Sequence, residues 1–450
     1  MKRLFTAILT LLVLIVPVPA LAHPIGGRGD LPLPLEVFLI GGALVLLISF
    51  GALSLLWPEP RLQDGPRYRG SGFAAPRWLA RGLQGAGVAF LLLVLVAGRW
   101  GEADSRINIA PISIFILFWL VLPFLAAVVG NIWSLVNPWA AIGRALEFDR
   151  KPASPTRLGV WPAGFLFLAF TWLELVSPSS GNPRALAAAS LIYTILMLAW
   201  MWRRGVDETL ASADAFSVYH RLLSAIAPLG RSEDGRLRWR GWLRSLPVLP
   251  QWPGLVFFVV AMIGTVSYDG LSATPFWDDL TFDLVGRSQS SQWFGTVALV
   301  TTVAIVGIGY LAASWWAARI ARGPLTTLGV ARSFAHTLVP IALAYAVAHY
   351  ITLILFEGQL MIASISDPLG RGWNLFGTAD YQANFTWLSP TSVWWIQASA
   401  LVAGHVIGVA LAHDRALAVF EGERAVRSQY AMLTLMVALT FGGLSILAAG

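Results

Sequence analysis

The stretch from residue 35 to 57, LEVFLIGGALVLLISFGALSLLW, holds one charged residue, Glu36, among 23 positions. An α-helix rises about 1.5 Å per residue, so a run of this length reaches across the roughly 30 Å hydrocarbon core of a bilayer. Backbone polar groups find no water in that core, and a helix satisfies them within its own segment. The stretch therefore predicts a transmembrane helix.

Nine further apolar stretches of similar length follow along the chain. The ten predicted spans are residues 35–57, 79–98, 111–130, 160–176, 185–202, 252–269, 293–318, 332–356, 391–412 and 429–449. The composition agrees, because 57% of the residues are hydrophobic, 12% are charged and the mean hydropathy is +0.68. Soluble domains carry about 25% charged residues. We expect an all-α polytopic membrane bundle, and a soluble globular enzyme is excluded.

The N-terminal segment has the pattern of a secretory signal. Lys2 and Arg3 precede an apolar run over residues 4–16, and the small-residue triplet Ala20-Leu21-Ala22 follows. A basic start, a short apolar core and a small-x-small site are typical of cleaved signal peptides. We expect residues 1–22 to be removed.

Cleavage after Ala22 would leave His23 as the mature N-terminus. A free α-amine and an imidazole on one residue can together chelate a metal, as in copper enzymes with an N-terminal histidine. The alternative is that His23 is merely tolerated after the cleavage site. A ligand needs partners at the right geometry before it defines a metal site.

Residues 23–450 are expected to form one transmembrane domain without a separate soluble domain. Two long outer loops, 268–291 and 356–390, are candidates for function because long loops are seldom idle. The longest cytoplasmic connection is 203–251. It contains RLRWRGWLR at residues 236–244, a pattern that favours an anchor at the membrane surface.

The basic residues predict the orientation. Of 31 Lys and Arg residues, two belong to the signal, 23 fall in loops after odd-numbered spans and six fall on the other side. Cytoplasmic loops carry the excess of basic residues. We expect a multi-pass protein of the plasma (inner) membrane with both mature termini outside. The basic charge thus reflects topology and contact with the lipid bilayer, and no nucleic acid partner is expected.

The chain contains no cysteine, which excludes disulfides, thiolate metal sites and cysteine nucleophiles. Ionisable residues within spans are costly and are therefore functional candidates. Glu174, Asp269 and Glu357 lie near the predicted outer ends of spans four, six and eight. His349 lies about 10 Å below the outer edge of span eight.

Carboxylates combined with imidazole suit zinc, manganese or iron. We expect His23, His349, Glu174 and Asp269 to be the metal ligands, with Asp269 and Glu357 in catalytic roles. Two further acids of the outer loop, Asp367 and Asp380, can add to this group. The alternative is structural: Glu174 and Asp269 cap helix ends, and His349 bonds to a neighbouring helix. The sequence shows no HExxH or two-metal spacing that would make the site specific.

His349 and Glu357 are eight residues apart, about 12 Å along one helix. Both can therefore ligate one ion only if the chain bends near Gly358. We expect His349 to act with residues of other helices, and Glu357 to lie on the substrate side of the site.

An inner pair of histidines, His336 and His405, invites a haem interpretation. We expect them to approach each other at similar depth but to serve packing, as buried histidines that form hydrogen bonds between helices. The alternative is that both ligate one haem iron axially. His336 and His349 do not share a helix face, because 13 steps of about 100° leave them about 140° apart. At the cytoplasmic end of span nine, His413, Asp414 and Arg415 are expected to form an interfacial cluster that anchors the helix.

Several stretches resemble the bacterial membrane proteins labelled fenitrothion hydrolase. The motifs are HPIGGRGDLPLPL, GNIWSLVNPW, FTWLELVSP, HYITLILFEGQ, SDPLGRGWNLFGTADY and SALVAGHVIGVALAHDRAL, which together run from residue 23 to 417. The resemblance implies hydrolysis of an organophosphorus triester to a nitrophenol and a dialkyl phosphorothioate, with a second membrane subunit as a possible partner. It assigns no residue a role.

An apolar triester partitions into the bilayer, where an outward-facing pocket can collect it. A divalent metal (zinc, manganese or copper) would activate the attacking water and stabilise charge on the phosphoryl group. The alternative is a non-enzymatic envelope protein that handles copper, haem or a small solute.

Overall fold

The computed structural model describes residues 32–150, 157–286 and 292–449. The expected signal peptide and His23 lie outside these ranges.

Within them most of the chain is helical, and one small sheet is present. The helices are α1 (Leu35–Leu56), α2 (Arg77–Trp100), α3 (Ile109–Val129), α4 (Trp133–Val136), α5 (Pro138–Ala145), α6 (Trp161–Leu175), α7 (Pro183–Arg204), α8 (Val206–Ser212), α9 (Ala215–Ser224), α10 (Leu255–Ser272), α11 (Pro275–Val285), α12 (Gln292–Ala321), α13 (Thr327–Leu355), α14 (Met361–Ser366), α15 (Pro390–Val419) and α16 (Gly422–Ala449).

Nine of the helices in the described ranges are long and apolar enough to cross a membrane: α1, α2, α3, α7, α10, α12, α13, α15 and α16. The remaining predicted span, 160–176, corresponds to α6, which is apolar but only 15 residues long. The all-α polytopic bundle is therefore confirmed. α3 has a π-helical centre at Ser113–Val121, and α13 has a 3₁₀ turn at Ala335–Leu338.

The outer loop expected at 268–291 is largely helical. α10 continues to Ser272, and Thr274 accepts a hydrogen bond from the amide of Trp277 to begin α11. α11 has no buried residue, so it lies on the surface of the bundle.

A three-stranded antiparallel sheet joins two connections that are expected to be cytoplasmic. Its strands are β1 (Arg69–Phe73), β2 (Leu229–Arg231) and β3 (Leu237–Trp239), in the order β1-β3-β2. The predicted basic anchor at residues 236–244 thus includes the central strand, where Trp239 is 47% exposed. Its contact with lipid remains a prediction.

The connection 203–251 does not lie wholly outside the bundle. Eight of the ten residues of α9 are buried. Tyr219 packs between two spans, with its ring centroid 5.2 Å from that of Trp119 on α3 and 5.4 Å from that of Phe167 on α6. α9 therefore enters the inner part of the bundle, a placement that its hydropathy does not reveal, because it is ten residues long.

Asp214, at the N-terminus of α9, is fully buried. Its carboxylate accepts hydrogen bonds from Tyr193 Oη at 2.7 Å, Asn137 Nδ2 at 3.0 Å and Ser217 Oγ at 2.6 Å. It also caps its own helix through the amide of Phe216. A buried carboxylate is tolerated when donors satisfy it. Asp214 thus ties α9 to α7 and to the start of α5.

The chain between α3 and α5 follows a broken path. Gly130 has a φ of 105°, a conformation that favours glycine. The carbonyl of Val136 then approaches α2 so closely that a Cβ at Gly87 would lie 1.7 Å from its oxygen. Asn137 caps α5 by accepting from the amide of Ala140 at 2.9 Å. The two glycines and Asn137 hold this turn inside the bundle.

Asp214→Ala should destabilise the protein by about 3 kcal/mol, because it leaves buried donors on Tyr193 and Asn137 without an acceptor. The matched control is Asp207→Ala, which removes an acid that is 78% exposed and paired with Arg144. Surface ion pairs contribute about 1 kcal/mol or less. Thermal unfolding in detergent measures both, and equal midpoints for the two variants would contradict the role of Asp214.

Candidate functional site

Two spans meet at a polar cluster formed by Asp269 of α10 with His349 and Tyr350 of α13. His349 Nε2 lies 2.9 Å from Asp269 Oδ2, and Tyr350 Oη donates to the same oxygen at 2.6 Å. Tyr350 is buried, whereas the side chains of Asp269 and His349 remain 23% and 28% exposed. The buried Tyr350 therefore holds the cluster on one side, whereas Asp269 and His349 are partly exposed on the other.

Gly270 lets the two helices approach at this level. A Cβ there would lie 3.6 Å from His349 Nδ1 and 2.6 Å from the side chain of Ile446 on α16. A void of about 30 Å³ lies beside it, lined by Gly270, His349, Ser267 and Tyr345 among others. The void has room for one water molecule. Its lining is mostly apolar, and His349, Ser267 and Tyr345 contribute its few polar groups.

Glu174 reaches the same level from α6. At the inner ends, the amide of Val160 donates to the carbonyl of Pro253 at 2.8 Å and fixes the register of α6 against α10. Glu174 lies 14 residues beyond the first of these and Asp269 lies 16 beyond the second, about 21 and 24 Å along the helices. Glu174 and Asp269 therefore lie at similar depth on two helices that pack against each other.

Glu174 Oε2 is buried and has no hydrogen-bond partner in the part of the chain that the structure describes. The indole of Trp119 lies beside it, yet its Nε1 is also buried without a well-formed hydrogen bond. An unpaired carboxylate in an apolar surrounding requires a cation or a proton. Among the candidate residues, Glu174 is therefore the one whose carboxylate lacks a described hydrogen-bond partner and needs a cation or a proton.

The other acids that are expected on the outer side have different surroundings. Glu357 is exposed at the start of the 3₁₀ turn Glu357–Leu360, directly after α13. Asp367 accepts from the amides of Arg371 at 2.9 Å and Gly372 at 2.7 Å, which shapes its own loop. Asp380 is exposed. The substrate-side role of Glu357 stays a prediction.

The expected metal ligands are thus only partly assembled. Asp269 and His349 touch, but they hydrogen-bond to each other, and no group of three His, Asp or Glu side chains in the described ranges converges on a point where a metal could be held. His23 lies outside those ranges. The described residues form a hydrogen-bonded Asp–His–Tyr cluster. A metal ion bound there would need a further residue as a ligand.

The inner histidines lie at different depths, so the expectation that they approach each other is wrong. The ring of His405 lies 5.8 Å from that of Tyr345, and the neighbouring Gly404 packs on Ala344. His336 precedes Ala344 by eight residues, about 12 Å along α13. Two axial haem ligands must lie on opposite sides of one iron. His336 and His405 do not have this arrangement.

Both inner histidines are buried in the helix packing. His405 Nδ1 bonds to the carbonyl of Leu401 at 2.9 Å, and the Nε2 atoms of His405 and His336 have no partner among the described residues. Close packing of α13 on α15 surrounds them, because a Cβ at Gly408 would meet Thr337 O at 3.1 Å. The surroundings of both histidines are therefore those of residues that contribute to the packing of α13 on α15.

The expected cluster of His413, Asp414 and Arg415 near the C-terminal end of α15 is formed, and its position at the cytoplasmic surface stays a prediction. His413 bonds to the carbonyl of Trp57 and to Gln429, each at 2.9 Å. Asp414 is fully buried and accepts from Trp57 Nε1 at 3.1 Å and Gln63 Nε2 at 2.7 Å. These contacts join α15 to α16 and to the segment after α1, which is an anchoring role.

Sequence reasoning missed an apolar cavity of about 470 Å³. It lies among α2, α3, α6 and α7, and Phe216 of the buried helix α9 closes its inner side. The ring pair Trp119–Phe170, with centroids 4.8 Å apart, stands between this cavity and the side of the bundle that carries Glu174. Its lining residues come from several helices distant in sequence, from Ala86 of α2 to Phe216 of α9, so no pattern along one stretch of the chain indicates it.

No protein family, no curated protein and no solved structure shows significant similarity to the chain.

Replacing His336 or His405 by Gln should lower thermal stability without changing the visible absorption spectrum, because both side chains serve packing. Purified protein in detergent, followed by absorption and by thermal unfolding, measures the two effects together. A visible chromophore that disappears in either variant would contradict this assignment and restore the haem interpretation.

Proposed function

We propose that the chain is an integral membrane hydrolase of neutral organophosphorus triesters of the fenitrothion type, acting at the outward-facing cluster of Asp269, His349 and Tyr350. The observation that carries the proposal is the contact of His349 Nε2 with Asp269 Oδ2 at 2.9 Å, on side chains that stay partly accessible. A carboxylate that orients an imidazole is a recurrent arrangement for activating a nucleophile.

The proposed step uses the other ring nitrogen of His349 as the base. Because Nε2 is engaged by Asp269, Nδ1 is available, and it lies next to Gly270 beside the 30 Å³ void. Water in that void would attack phosphorus while Nδ1 accepts its proton. The phosphorus–aryloxide bond breaks, the aryloxide leaves with the electron pair, and the protonated imidazole then releases its proton to it.

Two neighbours support this step. Asp269 holds the imidazole orientation and stabilises the positive charge that develops on the ring, and Tyr350 Oη fixes the carboxylate at 2.6 Å. Glu357, exposed at the end of α13, is proposed as a group on the substrate side.

A metal-assisted form of the same reaction is also part of the proposal. A zinc, manganese or copper ion held by Asp269, Glu174, His349 and His23 would acidify the attacking water. This form requires His23 at the mature N-terminus, since the described side chains alone do not close a ligand set. A second membrane subunit is a further proposed partner, which the family resemblance suggests.

A second candidate is a non-enzymatic envelope protein that handles copper, haem or a small solute. One observation favours small-solute handling: the 470 Å³ cavity is apolar, and neither Asp269 nor His349 lines it. Such a protein would bind an apolar molecule and leave it unchanged.

His349→Gln and Asp269→Asn should each reduce fenitrothion hydrolysis by about 100-fold or more, because a positioned base typically contributes that much. The measurement is nitrophenol release by purified full-length protein in lipid nanodiscs. Asp279→Asn, which removes an exposed acid of α11 on the outer side, is the matched control and should retain full activity. Wild-type protein without turnover, or His349→Gln with normal turnover, would contradict the proposal.

Adding one alanine before His23 should lower bound metal and hydrolysis together if the metal-assisted form operates. The extra residue moves the free amine away from the imidazole and so removes the chelate. The mature N-terminus is checked by mass spectrometry and the metal by elemental analysis. Unchanged metal content with unchanged turnover would show that His23 is only a tolerated residue. The reaction would then be assigned to the Asp269–His349 pair without a metal.

A further inference from the structure

The 470 Å³ cavity among α2, α3, α6 and α7 is distinct from the Asp–His cluster. Binding pockets for small molecules typically measure about 300–1,000 Å³ and are mostly apolar with a few polar groups. Small residues such as Ala86 of α2 and Ala189 of α7 line it, and Phe216 of α9 contributes to its wall. The cavity therefore has the dimensions of a ligand site.

Its walls are aromatic and uncharged. Seven aromatic rings line it, and none of its lining residues is Asp, Glu, Lys, Arg or His. The polar atoms of two rings are already used, because Tyr193 Oη donates to Asp214 at 2.7 Å and Trp139 Nε1 donates to Thr194 at 2.9 Å. The rings thus offer faces and edges for stacking, with no counter-charge for an ion.

The cavity opens sideways, between α6 and α7. Two of its lining residues on α7, Ile192 and Leu196, are 58% and 46% exposed, and Ala169 of α6 is exposed as well. Both helices are apolar, so the outer surface at this opening faces the hydrocarbon of the bilayer. A ligand that reaches the cavity by this route must be soluble in that hydrocarbon.

We propose that this cavity is a binding site for a neutral aromatic small molecule that enters laterally from the bilayer. Absence of charge in the lining selects a neutral ligand, and the density of rings favours an aromatic one over a saturated chain. The proposal requires no catalytic step, so it stands or falls independently of hydrolysis at Asp269 and His349.

The test uses benzophenone, a neutral aromatic that inserts into nearby C–H bonds on irradiation. Full-length protein in nanodiscs is labelled, and the sites are mapped by mass spectrometry. Labelling should concentrate on cavity residues such as Leu173 and Phe216, saturate with probe concentration and be displaced by unlabelled biphenyl. Uniform labelling of lipid-facing residues would overturn the proposal. Displacement by hexadecane as effective as that by biphenyl would also overturn it and indicate an acyl-chain site.

Ala189→Trp places a large side chain in the cavity and should reduce labelling there about tenfold, which corresponds to about 1.4 kcal/mol of binding. Ala188→Trp is the matched control, because Ala188 is exposed on the same helix and does not line the cavity. Ala189→Leu, a smaller intrusion, should give an intermediate loss with wild-type thermal stability. Equal labelling of the Ala189→Trp and Ala188→Trp proteins would refute the site.

Discussion

A carboxylate inside an apolar bundle must find hydrogen-bond donors, and this constraint organises the structure around its buried acids. Asp214 gathers Tyr193, Asn137 and Ser217 and holds α9 in the bundle. Asp414 gathers donors from the segment after α1. Asp269 fixes α10 against α13. Each of these acids joins elements that are distant in sequence.

Glu174 is the contrasting case. It comes to the level of Asp269 through the register of α6 on α10, and its Oε2 atom finds no donor among the described residues. The acids whose carboxylates accept hydrogen bonds explain how the helices are held together. Glu174 and the partly exposed pair Asp269–His349 can in addition bind a proton, a cation or a substrate. Function is therefore proposed where Glu174 and the partly exposed pair Asp269–His349 come to the same level of the bundle.

The sequence predicted the long spans well because hydropathy over about 20 residues is a strong signal. It also placed Asp269 and His349 near the same end of their spans, where they meet, since depth follows from counting residues along a helix. Depth counting failed for His336 and His405, because depth within one span does not give the register between two spans. That register is set by contacts such as Gly404 on Ala344.

The buried helix α9 and the apolar cavity were not predictable in this way. α9 is short and lies in a connection rich in charge, so its burial depends on Asp214 finding Tyr193 and Asn137 on other elements. The cavity is lined by residues of α2, α3, α6, α7 and α9, which are distant from one another in sequence. Both features arise from tertiary packing, and a pattern along one stretch of chain does not encode them.

The central claim is that Asp269 and His349 act as one catalytic unit, and a double-variant cycle on fenitrothion turnover tests it most directly. Residues that act together give losses that do not multiply when both are replaced. We expect the protein carrying both Asp269→Asn and His349→Gln to lose no more activity than the worse single variant. Losses that multiply would show two independent contributions and contradict the account.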